Sequence, residues 1–141
     1  MSGSVSGSGG GGGGALEQGL EVSTAQEELV RLNLHVKSLN SRFESVFNHK
    51  EMTELNTEIR RQIEAMRRLL KVLRDLAVTQ KDPNLAKMLM NDVENHTDQI
   101  VALQTSFKQA NMRCISRLDA RSGHYLNFFS VSFLRALRAI Y

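Results

Sequence analysis

Three long segments of this sequence carry apolar residues at alternating spacings of three and four positions. Such spacing places the apolar side chains on one side of an α-helix, so it predicts three amphipathic helices, over about residues 21–47, 50–80 and 83–120. The first stripe contains Val22, Ala25, Leu29, Leu32, Val36, Leu39, Phe43 and Val46. The second contains Met52, Leu55, Ile59, Ile63, Met66, Leu70, Leu73 and Ala77. The third contains Leu85, Leu89, Val93, His96, Ile100, Leu103, Phe107, Ala110, Cys114 and Leu118. We therefore expect an all-α fold.

The two connections between these helices are short, and each carries a helix-start signal. Asn48 is an N-cap residue with Glu51 three positions later, and Asp82 precedes Pro83, which suits a first helical position. Because short loops make consecutive helices antiparallel neighbours, we expect an elongated antiparallel three-helix bundle over residues 20–121. The stripes are narrow, close to a coiled-coil seam. An open helical hairpin that takes its third face from a partner is therefore an alternative.

The two ends of the chain depart from this pattern. Residues 1–14 hold eight of the ten glycines, interspersed with serine, so we expect residues 1–19 to be a disordered tail. Residues 122–141 form a divergent apolar segment that contains Arg135 and Arg138 and is too short and too charged to span a bilayer. We expect this segment to dock on the bundle, to lie in a membrane interface, or to pack poorly.

Composition and charge narrow the classes of function. The single cysteine, Cys114, cannot form an internal disulfide, and no signal segment opens the chain, so we expect a reducing, cytoplasmic environment. A net charge of +3 is small for a dedicated nucleic-acid binder, so no nucleic-acid partner is expected. No apolar run reaches the roughly 18 residues of a membrane-spanning helix. Peripheral membrane contact stays open.

No arrangement of polar residues predicts a catalytic, cofactor or metal site. The histidines His35, His49, His96 and His124 lack the i, i+3 or i, i+4 partners that metal binding from a helix requires. The glycine tract lacks the lysine of a phosphate-binding loop. Helical seams of leucine, methionine, isoleucine and valine supply no polar pocket. We therefore expect a protein that is not an enzyme, and we interpret His96 and Cys114 as packing residues of the third helix.

The densest cluster of charge lies on the second helix. Its cations are Arg60, Arg61, Arg67, Arg68, Lys71 and Arg74. We define the basic surface, a candidate for partner binding, as Arg60, Arg67, Lys71 and Arg74. Such a surface attracts an anionic lipid, an acidic partner helix or RNA. The alternative is a solvated face that binds no ligand. Aromatic residues do not interleave with these cations, which disfavours RNA.

Three short motifs stand on these helices. Thr53–Asn56 lies at the start of the second helix, and Val93–His96 lies inside the third. A Lys-x-Ala-Asn-x-x-Cys pattern follows Val93–His96 on the third helix. This last motif ends a wider pattern that consists of Gln104, Ser106, Phe107, Lys108, Ala110, Asn111 and Cys114. In order and spacing, residues 29–114 resemble the N-terminal cytosolic region of the Sec-twenty family of endoplasmic-reticulum Qb-SNAREs. Amphipathic periodicity alone does not require asparagine, histidine and cysteine at these places.

This resemblance implies a role in SNARE-mediated fusion of Golgi-derived vesicles at the cytosolic face of the endoplasmic reticulum. The partners it implies are subunits of a tethering complex, which grip this region, and other endoplasmic-reticulum SNAREs. It places the contact surface on the third helix, at Val93, Glu94, Asn95, His96, Lys108, Ala110 and Asn111. After Ala120 the chain has no heptad run for a SNARE motif and no membrane anchor. A truncated or spliced product is one interpretation of this departure, and such a product would bind tethers without driving fusion itself.

Two other classes of function remain open from the residues alone. A self-associating coiled-coil protein would use the same seams between chains, and it would show a multiple of the 15.8 kDa chain mass. A peripheral membrane protein would insert residues 124–141 beside anionic lipid.

Overall fold

The computed structural model describes residues 10–122, 135 and 138–140. Three α-helices follow one another: α1 (Gly10–Ser41), α2 (His49–Thr79) and α3 (Pro83–Ser122), with a short 3-10 helix (Arg42–Ser45) after α1. No strand occurs in this described part of the chain, which confirms the all-α class. Most of the apolar segment predicted over residues 122–141 lies outside the described residues.

Side-chain caps explain where α2 and α3 begin. The Asn48 side chain accepts a hydrogen bond from the backbone N–H of Glu51 at 2.8 Å. The Glu51 carboxylate in turn accepts one from the backbone N–H of Phe47, also at 2.8 Å. This reciprocal pair satisfies two amides that a helix start would leave without partners. Before α3, Asp82 accepts from the N–H of Asn84 at 3.0 Å, and Pro83 occupies the first helical position.

The first helix differs from the sequence-based expectation at both ends. It begins at Gly10, inside the tract expected to be a disordered tail, and not near residue 21. Glycine disfavours a helix through its backbone entropy, but no side chain bars it from helical dihedral angles, so the helical backbone extends into the tract. At the other end, α1 gives way to the 3-10 helix at Arg42. Val46 then takes extended angles of φ −78° and ψ 134°, which end the 3-10 helix. Residues 1–9 lie outside the described part.

The chain divides into two compact units, and all three helices contribute a segment to each. The first unit combines Met1–Leu34 with Ile63–Ile100, and the second combines His35–Gln62 with Val101–Tyr141. In each unit, segments of all three helices pack together. This grouping favours three-helix packing over the open hairpin.

The core of the first unit is built from the predicted stripes. Its buried apolar residues are Ala25, Leu29, Leu32, Ile63, Met66, Leu70, Leu73, Ala77, Leu89, Val93 and Ile100. Burying each larger side chain of this kind stabilises a fold by about 1.5–3 kcal/mol. At the edge of this core, Gln26 of α1 donates a hydrogen bond to Asp92 of α3 at 2.7 Å. Leu85, in the first turn of α3, belongs to the predicted stripe but is exposed and not part of the core.

The core of the second unit is centred on two phenylalanines. The rings of Phe43 and Phe107 are both nearly inaccessible to solvent, and their centroids lie 6.0 Å apart. The other buried apolar residues are Val36, Leu39, Val46, Met52, Leu55, Ile59, Leu103, Ala110, Cys114, Ile115 and Leu118. Asn40 donates to the carbonyl of Leu103 at 3.5 Å. Since Asn40 meets Leu103 and Phe43 meets Phe107, the end of α1 and the 3-10 helix after it run in the same direction as α3 in this unit.

Candidate functional site

Three residues of the basic surface lie in the first unit, on the exposed side of α2. Arg67 pairs with Glu64 at 3.1 Å, and Lys71 pairs with Asp75 at 3.0 Å. Such exposed pairs, three or four residues apart, stabilise a helix little and leave their charges accessible. Arg74 is exposed and has no ion-pair partner among residues 10–122.

The fourth residue of the basic surface, Arg60, lies in the second unit. Its side chain is exposed, and it has no ion pair within the described helices, whereas the neighbouring Arg61 pairs with Glu58. In the first unit, residues 64–75 carry four cations and two carboxylates. This stretch of α2 therefore keeps a positive excess, which attracts acidic partners over the distance of a Debye length.

The first motif of the predicted contact surface, Val93–His96, lies in the first unit. Glu94 and Asn95 are exposed, whereas Val93 is buried in the core. His96 is half-buried, and its Nδ1 atom is buried without a hydrogen-bond partner among the described residues. Only Glu94 and Asn95 therefore offer a partner full access to their side chains.

The second motif, Lys108–Asn111, lies in the second unit. Lys108 is exposed, but Ala110 and Asn111 are buried, and the Asn111 amide donates to the carbonyl of Phe107 at 3.3 Å. The structure therefore corrects the assignment of Val93, Ala110 and Asn111 to a contact surface. Their side chains are buried within their own unit, where they contribute to packing.

A part-buried polar cluster in the second unit was not predicted from the sequence. The guanidinium of Arg117 donates to the backbone carbonyls of Phe43 at 2.7 Å and of Val46 at 2.8 Å. Both carbonyls lie at the end of the 3-10 helix, and that of Phe43 also accepts from the backbone N–H of Val46 at 3.3 Å. Arg117 therefore ties α3 to the connection between α1 and α2. Periodicity carries no signal for this contact, because Arg117 lies beside the apolar stripe.

The second unit contains two titratable groups with shifted pKa values. Asp119 is fully buried, and burial raises the pKa of its carboxyl, while His49, 3.9 Å away, acts in the opposite direction. Burial also raises the pKa of the Cys114 thiol, with Arg117, 3.7 Å from its sulfur, lowering it in part. A neutral, buried thiol is a poor nucleophile, which fits the interpretation of Cys114 as a packing residue.

The raised pKa of Asp119 predicts a pH-dependent stability. A carboxyl with a higher pKa in the folded state contributes stability that is fully present below its ordinary pKa of 3.8 and is lost as pH rises through the folded value. We expect the free energy of unfolding of the parent, relative to that of Asp119→Asn, to fall as the pH rises above 3.8. Urea unfolding at several pH values measures this difference. A constant difference would contradict a raised pKa.

The described helices show neither a metal centre nor a membrane span. Within them, no three histidine, cysteine, aspartate or glutamate side chains come together in a group that could hold a metal ion. The same part of the chain contains no helix with the length and apolar character needed to cross a bilayer.

Comparison with known proteins finds a distant sequence relationship. The chain is similar to the vesicle transport protein SEC20 of Homo sapiens and to that of Mus musculus, with 29% identity over 106 residues in each case. The matched residues cover 74% of this chain and 46% of each relative, so the chain spans about half the length of the curated relatives it matches. No protein-family model matches the chain. No solved structure matches it either.

Proposed function

Because the chain is a distant relative of the SEC20 vesicle transport proteins, we propose that it is a non-enzymatic, SNARE-related interaction module. In this proposal it acts in Golgi-to-endoplasmic-reticulum retrograde transport, at the cytosolic face of the endoplasmic reticulum. Its packed helices bind subunits of a tethering complex and other SNAREs of that membrane. The observation that carries the proposal is the similarity over 74% of the chain.

The exposed residues of the relevant helices support this proposal. Glu94 and Asn95 present polar side chains from one of the motifs that carry the likeness, beside a buried Val93 that keeps α3 in place. Partner contacts in helical modules combine such polar groups with adjacent helix surface. Glu94 and Asn95 are therefore the α3 residues that we assign to the tether contact.

The basic surface has a second role in the proposal, which is to speed association. Arg67, Lys71 and Arg74 are exposed on α2 in the same unit as Glu94 and Asn95. Exposed charges contribute more to the rate of encounter than to final affinity. An acidic tether surface would therefore meet this unit faster than a neutral surface would.

A capture experiment tests the proposed function. The full 141-residue chain is used as bait in cell lysate, and the retained proteins are identified by mass spectrometry. We expect tether subunits and endoplasmic-reticulum SNAREs, and we expect Glu94→Arg together with Asn95→Arg to reduce their recovery. Gln109→Arg, an exposed change on the same helix, is the control. Recovery of bait alone, or of further copies of the bait, would refute the proposal.

Charge reversal tests the steering role separately. We expect Arg67→Glu combined with Lys71→Glu to lower the association rate constant for the captured subunit about tenfold at 50 mM salt, with a smaller effect at 300 mM. Lys81→Glu combined with Lys87→Glu makes the same change of charge at two exposed residues of the same unit. Stopped-flow or surface-based kinetics measures the rates. Equal rates for the two double variants would exclude a specific role of the basic surface.

A further inference from the structure

A cleft of about 500 Å³ lies in the second unit, where α1 ends and α2 begins. Leu39, Val46 and Leu55 form its apolar base, and all three are almost fully buried in the core. The polar residues around this base are Arg42, Ser45, Glu51, Glu54 and Glu58. The cleft thus combines an apolar base with a rim that is mainly acidic.

The three carboxylates of the rim follow one side of α2. Glu51, Glu54 and Glu58 are spaced by three and then four residues, so they form a row of about 10 Å along the helix. Among the lining residues, all of which the structure describes, Arg42 is the one cation. Carboxylates therefore outnumber cations around the cleft, and their field favours a positively charged occupant.

The carboxylates differ in how far they are already engaged. Glu58 binds Arg61 and accepts from the Gln62 amide at 2.7 Å. Glu51 uses one oxygen to accept from the backbone of Phe47. Glu54 is exposed and has no hydrogen bond or ion pair within residues 10–122. An incoming cation would therefore find its most available carboxylate at Glu54, with Glu51 one turn away.

The acidic row beside an apolar base indicates the kind of occupant. An amphipathic helix repeats its side chains at the same three- and four-residue steps, and helices of this type place apolar residues in a groove while charged residues flank it. Leu39, Val46 and Leu55 are 3–7% exposed, so an apolar side chain of such a helix would cover the small part of them that the cleft leaves accessible. Lysine or arginine one turn away on the occupant would then reach Glu51 and Glu54.

We propose that this cleft binds an amphipathic helix of a partner protein that carries lysine or arginine beside its apolar stripe. The proposal goes beyond the proposed function, because it concerns a separate acidic surface and requires no tethering complex. Basic residues on the partner pair with Glu54 and Glu51, and one apolar side chain covers the base of the cleft. The complex weakens as salt rises, because part of the attraction is between exposed charges.

A displayed peptide library tests this proposal with the full chain as target. The probe is a library of 14-residue amphipathic helices with leucine fixed along one stripe and all flanking positions randomised. We expect enriched peptides to be rich in lysine and arginine, and their affinity to fall at least tenfold for Glu54→Lys. Glu27→Lys makes the same change of charge at an exposed position of α1 in the first unit, and there we expect unchanged affinity.

A second variant and circular dichroism distinguish a loss of binding from a loss of folding. Glu54→Gln removes the charge without reversing it, and we expect an intermediate loss of affinity with an unchanged helical spectrum. Enrichment of peptides without basic residues, equal binding to Glu54→Lys and the parent, or no enrichment at all would overturn the proposal. Enrichment only after removal of residues 123–141 would also overturn it, because the occupant would then be the chain's own C-terminal segment.

Discussion

Leu103→Asp is expected to unfold the second unit. The Leu103 side chain is only 3% exposed and lies in the core that contains Phe43 and Phe107. The substitution removes a large apolar side chain, which costs about 2–5 kcal/mol, and adds a carboxylate with no place to be hydrated. A domain is typically stable by only about 5–15 kcal/mol. Thermal unfolding followed by circular dichroism should therefore show a greatly lowered or absent transition.

Val101→Asp is the matched control for this substitution. Val101 lies two residues earlier on α3, in the same unit, but its side chain is 56% exposed. An exposed substitution of this kind changes the free energy of unfolding by about 0.5 kcal/mol or less. If Leu103→Asp melted like the parent, the packing of α3 in this unit would be refuted.

Arg117→Met is expected to lower the free energy of unfolding by about 2–4 kcal/mol, the second-largest effect we anticipate. Methionine retains much of the apolar stem of arginine but cannot donate hydrogen bonds. The carbonyls of Phe43 and Val46 would then lose their charged donor at the end of the 3-10 helix. Urea unfolding at pH 7 measures the loss.

Arg113→Met separates this hydrogen-bonding role from the general loss of a positive charge. Arg113 is exposed on the preceding turn of α3 and has no hydrogen bond or ion pair within the described residues. We expect its substitution to change stability by about 0.5 kcal/mol or less. Similar losses for both variants would show that the contacts of Arg117 with the carbonyls contribute nothing specific.

The candidate site could be predicted in part from the sequence. Exposure of Arg67, Lys71 and Arg74 follows from periodicity, because residues out of phase with an apolar stripe point away from the core. Likeness to a family motif cannot distinguish exposed residues from buried ones. It grouped the buried Ala110 and Asn111 with the exposed Lys108, since a shared motif records packing residues and contact residues alike.

The polar cluster and the acidic cleft could not be predicted in the same way. Arg117 and Phe43 are 74 residues apart in the chain, and their contact depends on how α3 packs against the end of α1. The cleft brings Leu39 of α1 together with Glu54 of α2, although each belongs to an ordinary amphipathic pattern. Contacts between distant residues depend on packing, and no local pattern encodes them.

The sequence by itself determined the three long helices of residues 10–122, the caps at Asn48 and Asp82, and the apolar stripes that form the core. These features are local, because helix periodicity and capping involve residues within about four positions of one another. Only the tertiary structure decided that Asp119 is buried beside His49, that Arg117 holds the end of the 3-10 helix, and that three glutamates border a cleft. The physical reason is that burial and hydrogen-bond partners depend on which helices meet in space.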